Sequence, residues 1–319
     1  MKKLILGIIL IMSLVGCQEK NKEGKEVTKT SEKINIGITQ IVEHPSLDLI
    51  RSGVEDALKN SKYKDKILFN YQNAQGDFIT AQTIAAQFNE DSDIVVAITT
   101  PSAQAALNKI PEKPLFFTAV TNPVVAGLKG KNITGVSDMS PVKEQIKLIQ
   151  QLLPKAKTIG TIYTTNEANS TYLTEEFTKA ANKAGYKVIA RGVTNVTEIA
   201  SAMDSFLEEV DVIYTTKDNN VASAYSLIMD RANKANIPVI GATRDFTEAG
   251  ALASSGISEY QVGYQTGEMI IRYLNGEKIE KMPIEYLNKS ELTINEKQMK
   301  KYGISPNSDQ LKNIEIIKE

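Results

Sequence analysis

The chain has 319 residues, of which 42% are hydrophobic, and its formal net charge at pH 7 is −1. This length and apolar content suit one large α/β body or two lobes of ordinary size. The near-zero net charge excludes the basic field that nucleic-acid binding requires, and a single cysteine leaves no partner for a disulfide within the chain.

The N-terminal segment has the pattern of an export signal. Lys2 and Lys3 precede the apolar run LILGIILIMSLVG, which is too short to span a bilayer comfortably. The run is followed directly by Cys17, and the resulting LVGC resembles the lipobox of bacterial lipoproteins. That resemblance implies cleavage before Cys17 and its lipidation, and two acyl chains there would anchor the protein stably to a membrane. Residues 1–16 are therefore predicted to be a lipoprotein signal peptide.

The segment after Cys17 is predicted to be a flexible tether. Residues 18–33 are charged and poor in aliphatic and aromatic side chains. Such a segment cannot bury enough apolar surface to offset the entropy of an ordered chain. We therefore predict that residues 17–33 form a lipidated tether and that the folded body begins near Ile34.

From Ile34 onwards, strand-like and helix-like segments alternate. The predicted strands are short and mostly rich in apolar residues: 34–39, 66–72, 93–99, 114–120, 158–164, 186–193, 211–216, 237–242 and 251–257. The predicted helices lie between and after them: 46–60, 78–90, 101–110, 141–153, 171–185, 198–209, 220–235 and 260–276. This alternation predicts an α/β fold whose parallel sheets are covered by helices on both faces.

The alternating pattern runs twice along the chain, at about 34–138 and 139–257. A chain that completes one parallel sheet, builds a second and then returns predicts two lobes with a cleft between them. We assign 34–138 plus 259–280 to lobe 1, and 139–258 plus 281–319 to lobe 2.

Six predicted strands end in small hydrogen-bonding residues. Ligands of open parallel sheets sit beyond the carboxyl ends of the strands, so these residues would line a polar cleft with few charges. Each cluster also fits helix capping, because a helix follows each strand and Ser, Thr, Asn and Asp are preferred caps. The clusters are Thr39-Gln40, Thr99-Thr100-Pro101-Ser102, Thr121-Asn122, Thr165-Asn166-Glu167, Thr216-Lys217-Asp218-Asn219 and Ala242-Thr243.

The segment TTPSAQAAL gives the most specific prediction of a contact. With Thr100 as the N-cap and Pro101 at the first helical position, the N–H groups of Ser102 and Ala103 would have no partner within the helix. Together with the helix dipole, these groups would hold a ligand carboxylate.

Other residues are predicted to complete such a site. Asn169 and Ser170 would add hydrogen-bond donors from the second lobe. Asp138 and Asp218 are candidates to face a ligand ammonium group. Tyr163, Tyr214 and Phe246 are candidates for apolar walls, although each also fits an ordinary core position.

Longer motifs extend over most of the body: IVEHPSLD (41–48), FFTAVTNPVVAGL (116–128), ITGVSD (133–138), NEANS (166–170), KDNNVASA (217–224) and GALASSGISEYQVGYQTGEM (250–269). They resemble the solute-binding lipoproteins of ABC importers, and more narrowly the branch assigned to tryptophan and tyrosine uptake. The resemblance implies a periplasmic-binding-protein fold of type I, with two Rossmann-like lobes joined by a three-segment hinge. The family's cleft lining would fall on Gln40, His44, Thr100, Ser102, Thr121, Asp138, Asn166, Asn169, Ser170, Asp218 and Asn219.

These features together predict a binding protein. We expect an extracytoplasmic, lipid-anchored monomer that closes on a small solute, such as an aromatic amino acid, and delivers it to an ABC permease. No cofactor, metal ion or nucleic acid is expected. An enzyme is the main alternative from another class, but the chain lacks G-x-S-x-G, H-E-x-x-H and Walker A motifs, and His44 has no evident nucleophile beside it. A lipoprotein of the same fold that senses a solute or mediates adhesion is the other alternative.

Overall fold

The computed structural model describes residues 33–287, 289–305 and 314–318. The predicted signal peptide, Cys17 and the tether up to residue 32 lie outside these residues. In the described part of the chain, no helix combines the length and the apolar character that crossing a membrane would require.

The described strands form two sheets. Their bounds are β1 (Ile34–Gln40), β2 (Ile67–Asn73), β3 (Ile94–Ile98), β4 (Leu115–Thr118), β5 (Ile133–Ser137), β6 (Thr158–Thr164), β7 (Lys187–Val193), β8 (Val212–Thr215), β9 (Val239–Gly241), β10 (Ala253–Gly256), β11 (Glu285–Tyr286), β12 (Glu291–Asn295) and β13 (Ile314–Ile317). The first sheet has the order β11-β5-β4-β3-β1-β2, and the second has the order β13-β12-β10-β9-β8-β6-β7. We refer to the first sheet and its helices as lobe 1 and to the second as lobe 2.

Helices connect the strands within each lobe. Their bounds are α1 (Pro45–Lys59), α2 (Phe78–Asp91), α3 (Thr100–Leu107), α4 (Val142–Leu152), α5 (Ala168–Lys183), α6 (Ile199–Asp204), α7 (Asn219–Ser223), α8 (Tyr225–Ala235), α9 (Arg244–Glu248), α10 (Glu259–Leu274) and α11 (Glu296–Lys301). The predicted alternation of strands and helices is confirmed, and the fold is α/β with two lobes.

The two sheets repeat one topology. The orders β2-β1-β3-β4-β5 and β7-β6-β8-β9-β10 correspond strand for strand, and every pair within these two runs is parallel. The sole antiparallel pairing among the described strands joins β10 to β12. Parallel strands buried under helices on both faces explain apolar runs such as IVVAI in β3, in which every residue is buried.

Two predicted helices are wrong in extent. The predicted helix 198–209 reduces to α6, because the backbone leaves helical geometry at Phe206 (φ −137°) and the ring enters the core of lobe 2. The predicted helix 220–235 divides into α7 and α8 at Ala224. The short elements α9, β12, α11 and β13 were not predicted, since none has more than six residues and none carries a full period of apolar positions.

The chain passes between the lobes three times, after β5, after β10 and after β11. The predicted boundary at residue 281 is wrong. Glu285 and Tyr286 pair with Val136 and Ser137 of β5, so β11 belongs to the first sheet. Only the part of the C-terminal segment that begins with β12 joins the second sheet.

Helices α1 and α10 of lobe 1 pack at very short range through glycines. A Cβ atom added to Gly263 would lie 1.9 Å from the carbonyl oxygen of Ile50, and one added to Gly53 would lie 2.2 Å from that of Tyr260. Gly267 faces Ala57 in the same way. The first residues of both helices lie beside the cleft. This packing therefore fixes one wall of the site described next.

Candidate ligand-binding site

A cavity lies between the lobes, where strands of both sheets end. The space between its lining side chains, including the part open to solvent, is about 420 Å³. Lobe 1 contributes side chains from the start of α1 and from the segments after β3, β4 and β5. Lobe 2 contributes side chains from α5, α7 and α9 and from the segments before α7 and α9. The carboxyl ends of parallel strands therefore form the site in both lobes, as the topology predicts.

Six of the eleven predicted cleft residues line this cavity: His44, Thr121, Asp138, Asn169, Asp218 and Asn219. Four others are buried next to it without lining it: Gln40, Thr100, Ser102 and Ser170. Asn166 lies on a separate outer groove between the lobes. The cavity also has polar walls that were not among the predicted contacts, namely Ser46, Thr99, Lys217, Thr243 and Glu259. Direct contact of the six residues with a ligand stays a prediction.

The start of α3 differs from the prediction. The N-cap is Thr99, not Thr100, and Pro101 is the second helical residue. The N–H of Ala103 donates to the carbonyl oxygen of Thr99 at 3.0 Å, so it is not available to a ligand. Among the described residues, the N–H groups of Thr100 and Ser102 have no acceptor. Of the two N–H groups that were predicted to hold a carboxylate, that of Ser102 is available and that of Ala103 is not. The N–H of Thr100 is available in addition.

Two cavity residues have strained backbone conformations. Thr99 has φ 81° and Ala119 has φ 55°, and both lie just after the ends of neighbouring strands, β3 and β4. A positive φ is unusual for a residue with a side chain and a genuine outlier for a β-branched one. Such strain is concentrated at functional sites, where surrounding structure holds it in place. Nothing in the sequence around Thr99 or Ala119 marks this conformation.

Asp218 is a structural residue as well as a cavity residue. Its carboxylate accepts hydrogen bonds from Thr164 N (2.6 Å), Thr164 Oγ1 (2.8 Å) and Val221 N (2.9 Å), and also from the hydroxyl of Ser170. It is the N-cap of α7, which confirms the capping interpretation for this residue. A ligand ammonium would have to compete with these four protein donors, and the predicted role of Asp218 opposite that group stays a prediction. Ser170 serves the same network and not the cavity.

A chain of polar side chains crosses the cleft from His44 to Glu167. His44 Nε2 lies 3.3 Å from Asn219 Oδ1, and Asn219 Nδ2 donates to Glu167 Oε2 at 2.7 Å. Asn169 Nδ2 donates to the same oxygen at 3.1 Å. Burial lowers the pKa of His44, and burial together with repulsion from Asp218 raises the pKa of Glu167 to about 8. At neutral pH the chain therefore joins a neutral imidazole to a protonated carboxyl group.

The raised pKa of Glu167 predicts a loss of stability with increasing pH. Between its unfolded value near 4.5 and about 8, the unfolded chain releases this proton while the folded chain retains it. The free energy of unfolding should therefore fall as pH rises, by up to about 1.4 kcal/mol per pH unit. The lowered pKa of His44 acts in the opposite direction, but only below its ordinary value of 6.5. Urea unfolding at intervals between pH 6.5 and 8 measures this slope, to which Glu259 also contributes in the lower part of the range because its pKa is raised to about 7. Comparison with a Glu167 variant then isolates the contribution of Glu167.

The matched comparison for this prediction uses two Glu→Gln substitutions on or beside α5. Glu167→Gln should flatten the pH dependence, since an amide cannot ionise. Glu175→Gln alters an exposed side chain of the same helix and should leave the wild-type slope intact. Equal slopes for Glu167→Gln and the wild type would show that Glu167 is ionised in the folded protein.

Lys217 lies at the hinge end of the cavity between two carboxylates. Its Nζ is 3.2 Å from Asp138 Oδ2 and 2.9 Å from Glu259 Oε1. Burial alone would lower the pKa of Lys217, but the charges of Asp138 and Glu259 outweigh it and raise the pKa above its usual value. Burial raises the pKa of Glu259 to about 7 despite the opposing effect of Lys217. The three residues come from distant parts of the sequence, so no local pattern indicates the cluster.

The cavity also has apolar lining residues. Leu47 and Ile50 project from α1, and Ala222 and Phe246 project from lobe 2. The ring of Phe246 is stacked on Tyr225 with a centroid distance of 4.1 Å, which fixes its orientation. Of the three predicted wall residues, Phe246 alone lines the cavity. The other two, Tyr163 and Tyr214, lie in an outer groove and in the core of lobe 2, respectively.

Several buried polar atoms of the cavity residues have no hydrogen-bond partner among the described residues. They are His44 Nδ1, Thr99 Oγ1, Asn169 Oδ1, Thr243 Oγ1 and Glu259 Oε1. A buried polar atom without a partner costs about 1–3 kcal/mol. Five such atoms around one cavity are free to form hydrogen bonds with a polar small molecule.

The sequence of this two-lobed body matches a known protein family. The model of the family described as ABC transporter substrate binding protein matches residues 35–315. The chain belongs to this family. Its fold is that of the type I periplasmic binding proteins, as the sequence resemblance implied.

Several relatives of this substrate-binding family are similar over most of their length. The tyrosine-binding protein of Clostridioides difficile (strain R20291) is 38% identical over 311 residues, which cover 93% of this chain and 90% of the relative. The structure of the ABC domain in complex with L-Trp from Streptococcus pneumonia is 34% identical, covers 90% of this chain and 100% of that one, and superposes with a TM-score of 0.86. The ligand-free, open structure of CD0873, a substrate-binding protein with adhesive properties from Clostridium difficile, is 40% identical over 89% of this chain and 99% of that one, with a TM-score of 0.68.

The substrate-binding lobes are closed on each other in this structure. Ser46 of α1 donates to Asp245 of α9 at 2.7 Å, and Lys217 donates to the backbone of Asp138 at 3.2 Å, so hydrogen bonds span the cleft. The superposition agrees with these contacts. The TM-score is 0.86 against the tryptophan complex and 0.68 against the open structure, although the open structure has the higher sequence identity. The arrangement of the two lobes is therefore more similar to that of the tryptophan complex.

Proposed function

We propose that the protein is an extracytoplasmic lipoprotein of an ABC importer that binds an aromatic amino acid, such as tryptophan or tyrosine, and delivers it to a membrane permease. One observation carries the proposal. A cavity closed by both lobes combines apolar lining residues with buried polar atoms that have no hydrogen-bond partner among the described residues. Relatives with a tyrosine-binding name and with bound L-Trp support the choice of an aromatic amino acid. The site has no arrangement of nucleophile and base, and we propose binding without catalysis.

The N-terminal sequence supports the proposed anchoring. A basic start, a short apolar run and LVGC ending at Cys17 fit export followed by lipidation. Residues 17–33 would then hold the binding body near the permease. We propose that the protein acts as a monomer, because both lobes that line the cavity belong to the same chain.

Closure follows from the distribution of contacts between the lobes. In the proposed orientation, the aromatic ring lies against Leu47, Ile50 and Phe246. The polar end of the ligand faces Thr99 from lobe 1 and Asn169 from lobe 2. A ligand that contacts both lobes only when they are shut stabilises the closed form by the difference in its affinity for the two forms. The permease would recognise that form.

Thermal unfolding with each amino acid tests the proposal. Residues 18–319 are produced without the signal, unfolded and refolded to remove carried ligand, and melted in the presence of each amino acid in turn. A ligand present at about 100 times its Kd adds roughly 2.7 kcal/mol to the free energy of unfolding. We expect a clear rise in Tm with tryptophan, tyrosine or phenylalanine and none with the other amino acids. No rise with any of them would contradict the proposed substrate.

A pair of phenylalanine variants shows whether the ligand occupies this cavity. Phe246→Leu keeps an apolar side chain but removes the ring that lines the cavity, and we expect it to weaken aromatic binding by about 5-fold, since a ring pair contributes roughly 1 kcal/mol. Phe206→Leu removes a ring buried in the core of lobe 2 away from the cavity. It should lower stability without changing Kd. An equal effect of both on Kd would place the ligand elsewhere.

A second role is favoured by one relative. CD0873 is described as a substrate-binding protein with adhesive properties, and the same fold in this chain would serve solute sensing or adhesion equally well. Uptake of labelled tyrosine by cells with and without the gene separates the two. Loss of uptake supports import, whereas unchanged uptake with reduced attachment to host cells supports adhesion.

A further inference from the structure

Lys217 lies at the polar end of the cavity and is almost fully buried, which is unusual for a lysine. It follows β8 in lobe 2, and it reaches Asp138, directly after β5, and Glu259, at the start of α10. Each of the three side chains is no more than 8% exposed. The two carboxylates belong to two of the segments that connect the lobes, so Lys217 spans the hinge side of the cleft.

The Lys217 ammonium makes two hydrogen bonds, both to Asp138, and one close ionic contact, to Glu259. It has three N–H donors, and three oxygens lie within reach: Asp138 O at 3.2 Å, Asp138 Oδ2 at 3.2 Å and Glu259 Oε1 at 2.9 Å. The other oxygen of Asp138, Oδ1, accepts the hydroxyl of Thr121 at 3.2 Å. The ammonium therefore acts as an internal counter-ion for two acids that face the cavity.

The remaining acids near the cavity offer little to a ligand cation. All the hydrogen bonds that Asp218 accepts come from Thr164, Ser170 and Val221. Glu167 accepts two amide donors and holds its proton at neutral pH. A ligand ammonium in this closed form would meet neutral acceptors such as Asn169 Oδ1 and Thr99 Oγ1, and one carboxylate oxygen without a hydrogen bond, Glu259 Oε1, whose charge Lys217 balances.

We propose that Lys217 is the specificity-determining residue of this site and that it excludes aromatic amines that lack a carboxylate. Its ammonium fills the position between Asp138 and Glu259 that an amine would otherwise take. The inference rests on the proposed function and narrows its substrate class: the site accepts an aromatic ligand that carries its own carboxylate, and it rejects the corresponding decarboxylated amine. Without Lys217, two buried carboxylates would attract any aromatic amine that fits the apolar lining residues.

Calorimetric Kd values for L-tyrosine and tyramine test this assignment. We expect the wild type to bind L-tyrosine and to bind tyramine weakly. Lys217→Ala opens the space between the two acids, and its affinity for tyramine should rise by about 10- to 100-fold, the effect of one or two hydrogen bonds to a charged group. Lys217→Arg keeps the cation and should retain the wild-type preference, which a merely structural role for the side chain would not require.

A charge-balanced variant covers the case in which Lys217→Ala does not fold. Lys217→Ala/Glu259→Gln removes one acid together with the cation, and its gain in tyramine affinity should be smaller than that of the single variant. Unchanged tyramine binding in both variants, while L-tyrosine still binds the wild type, would overturn the role of Lys217 and leave the proposed function intact. A loss of L-tyrosine binding with no gain for tyramine would also overturn it, since Lys217 would then hold the ligand carboxylate. Failure of the wild type to bind L-tyrosine, L-tryptophan or L-phenylalanine would overturn the proposed function itself, and this inference with it.

Discussion

Gly263→Ala is expected to destabilise the protein by about 2–3 kcal/mol. The new Cβ atom would lie 1.9 Å from the carbonyl oxygen of Ile50, a distance that real Cβ atoms do not tolerate. The obstacle is backbone and not the end of a flexible side chain, so helices α1 and α10 must move apart. Urea or thermal unfolding of the purified variant measures the loss.

The same substitution should also weaken ligand binding. Leu47 and Ile50 of α1 line the cavity, and α10 begins at Glu259, another lining residue. Separation of the two helices therefore displaces one wall of the site relative to the other. We expect a smaller rise in Tm with an aromatic amino acid for Gly263→Ala than for the wild type.

Glu268→Ala is the control for this prediction. Glu268 is an exposed residue of the same helix, and its replacement should change the free energy of unfolding by no more than about 0.5 kcal/mol. Wild-type stability of Gly263→Ala would mean that the two helices lie further apart in solution than in the structure.

The general architecture could be predicted because its signals are local and repeated. A buried parallel strand such as β3 has the sequence of a short apolar run, and the helices between the strands carry apolar residues at helical spacing. Polar residues at the strand ends were expected to converge, since the carboxyl ends of parallel strands share one edge of a sheet. Six of the eleven predicted residues do reach one cavity for this reason.

The chemistry of the site depends on the closure of the lobes, which no sequence window contains. Lys217 meets Asp138 and Glu259 only because three distant segments come together at the hinge. The strained φ of Thr99 is likewise imposed by its surroundings, and its sequence neighbours suggested an ordinary cap one residue later. Phe246 could be proposed as a wall residue, but the five-residue helix α9 that positions it is too short to show a period.

Residues at strand ends have two functions that the sequence cannot separate. Asn169 and Asp218 both follow strands of lobe 2, and both fit either a cap or a ligand contact. The structure gives Asp218 four protein donors, whereas Asn169 Oδ1 has no partner among the described residues. The number of hydrogen bonds already made by each group therefore distinguishes support of the site from contact with a ligand.

Asp218→Asn is expected to cost roughly 3 kcal/mol of stability, although the two side chains have nearly the same shape. One carboxylate oxygen, Oδ2, accepts the N–H of Thr164 at 2.6 Å and the hydroxyl of Ser170. An amide nitrogen in that place would point a donor at the backbone N–H of Thr164, which would keep only Ser170 Oγ as an acceptor, at 2.9 Å. If the amide were reversed, Val221 N would lose its acceptor instead. Chemical unfolding of the variant measures the effect.

The loss of stability in Asp218→Asn should come from disruption of the buried hydrogen-bond network and not from removal of a negative charge. Asp230→Asn removes the same charge from an exposed i,i+4 pair with Lys234 in the same lobe, and such pairs contribute only about 0.3–0.5 kcal/mol. Ser170→Ala removes one of the four donors and should have an intermediate effect.

Because Asp218 joins the end of β6 to the starts of α5 and α7, Asp218→Asn should also weaken ligand binding by loosening Asn169 and Asn219. A variant with unchanged stability would show that Asp218 is not held by these four donors in solution, and would favour it as a partner for a ligand ammonium.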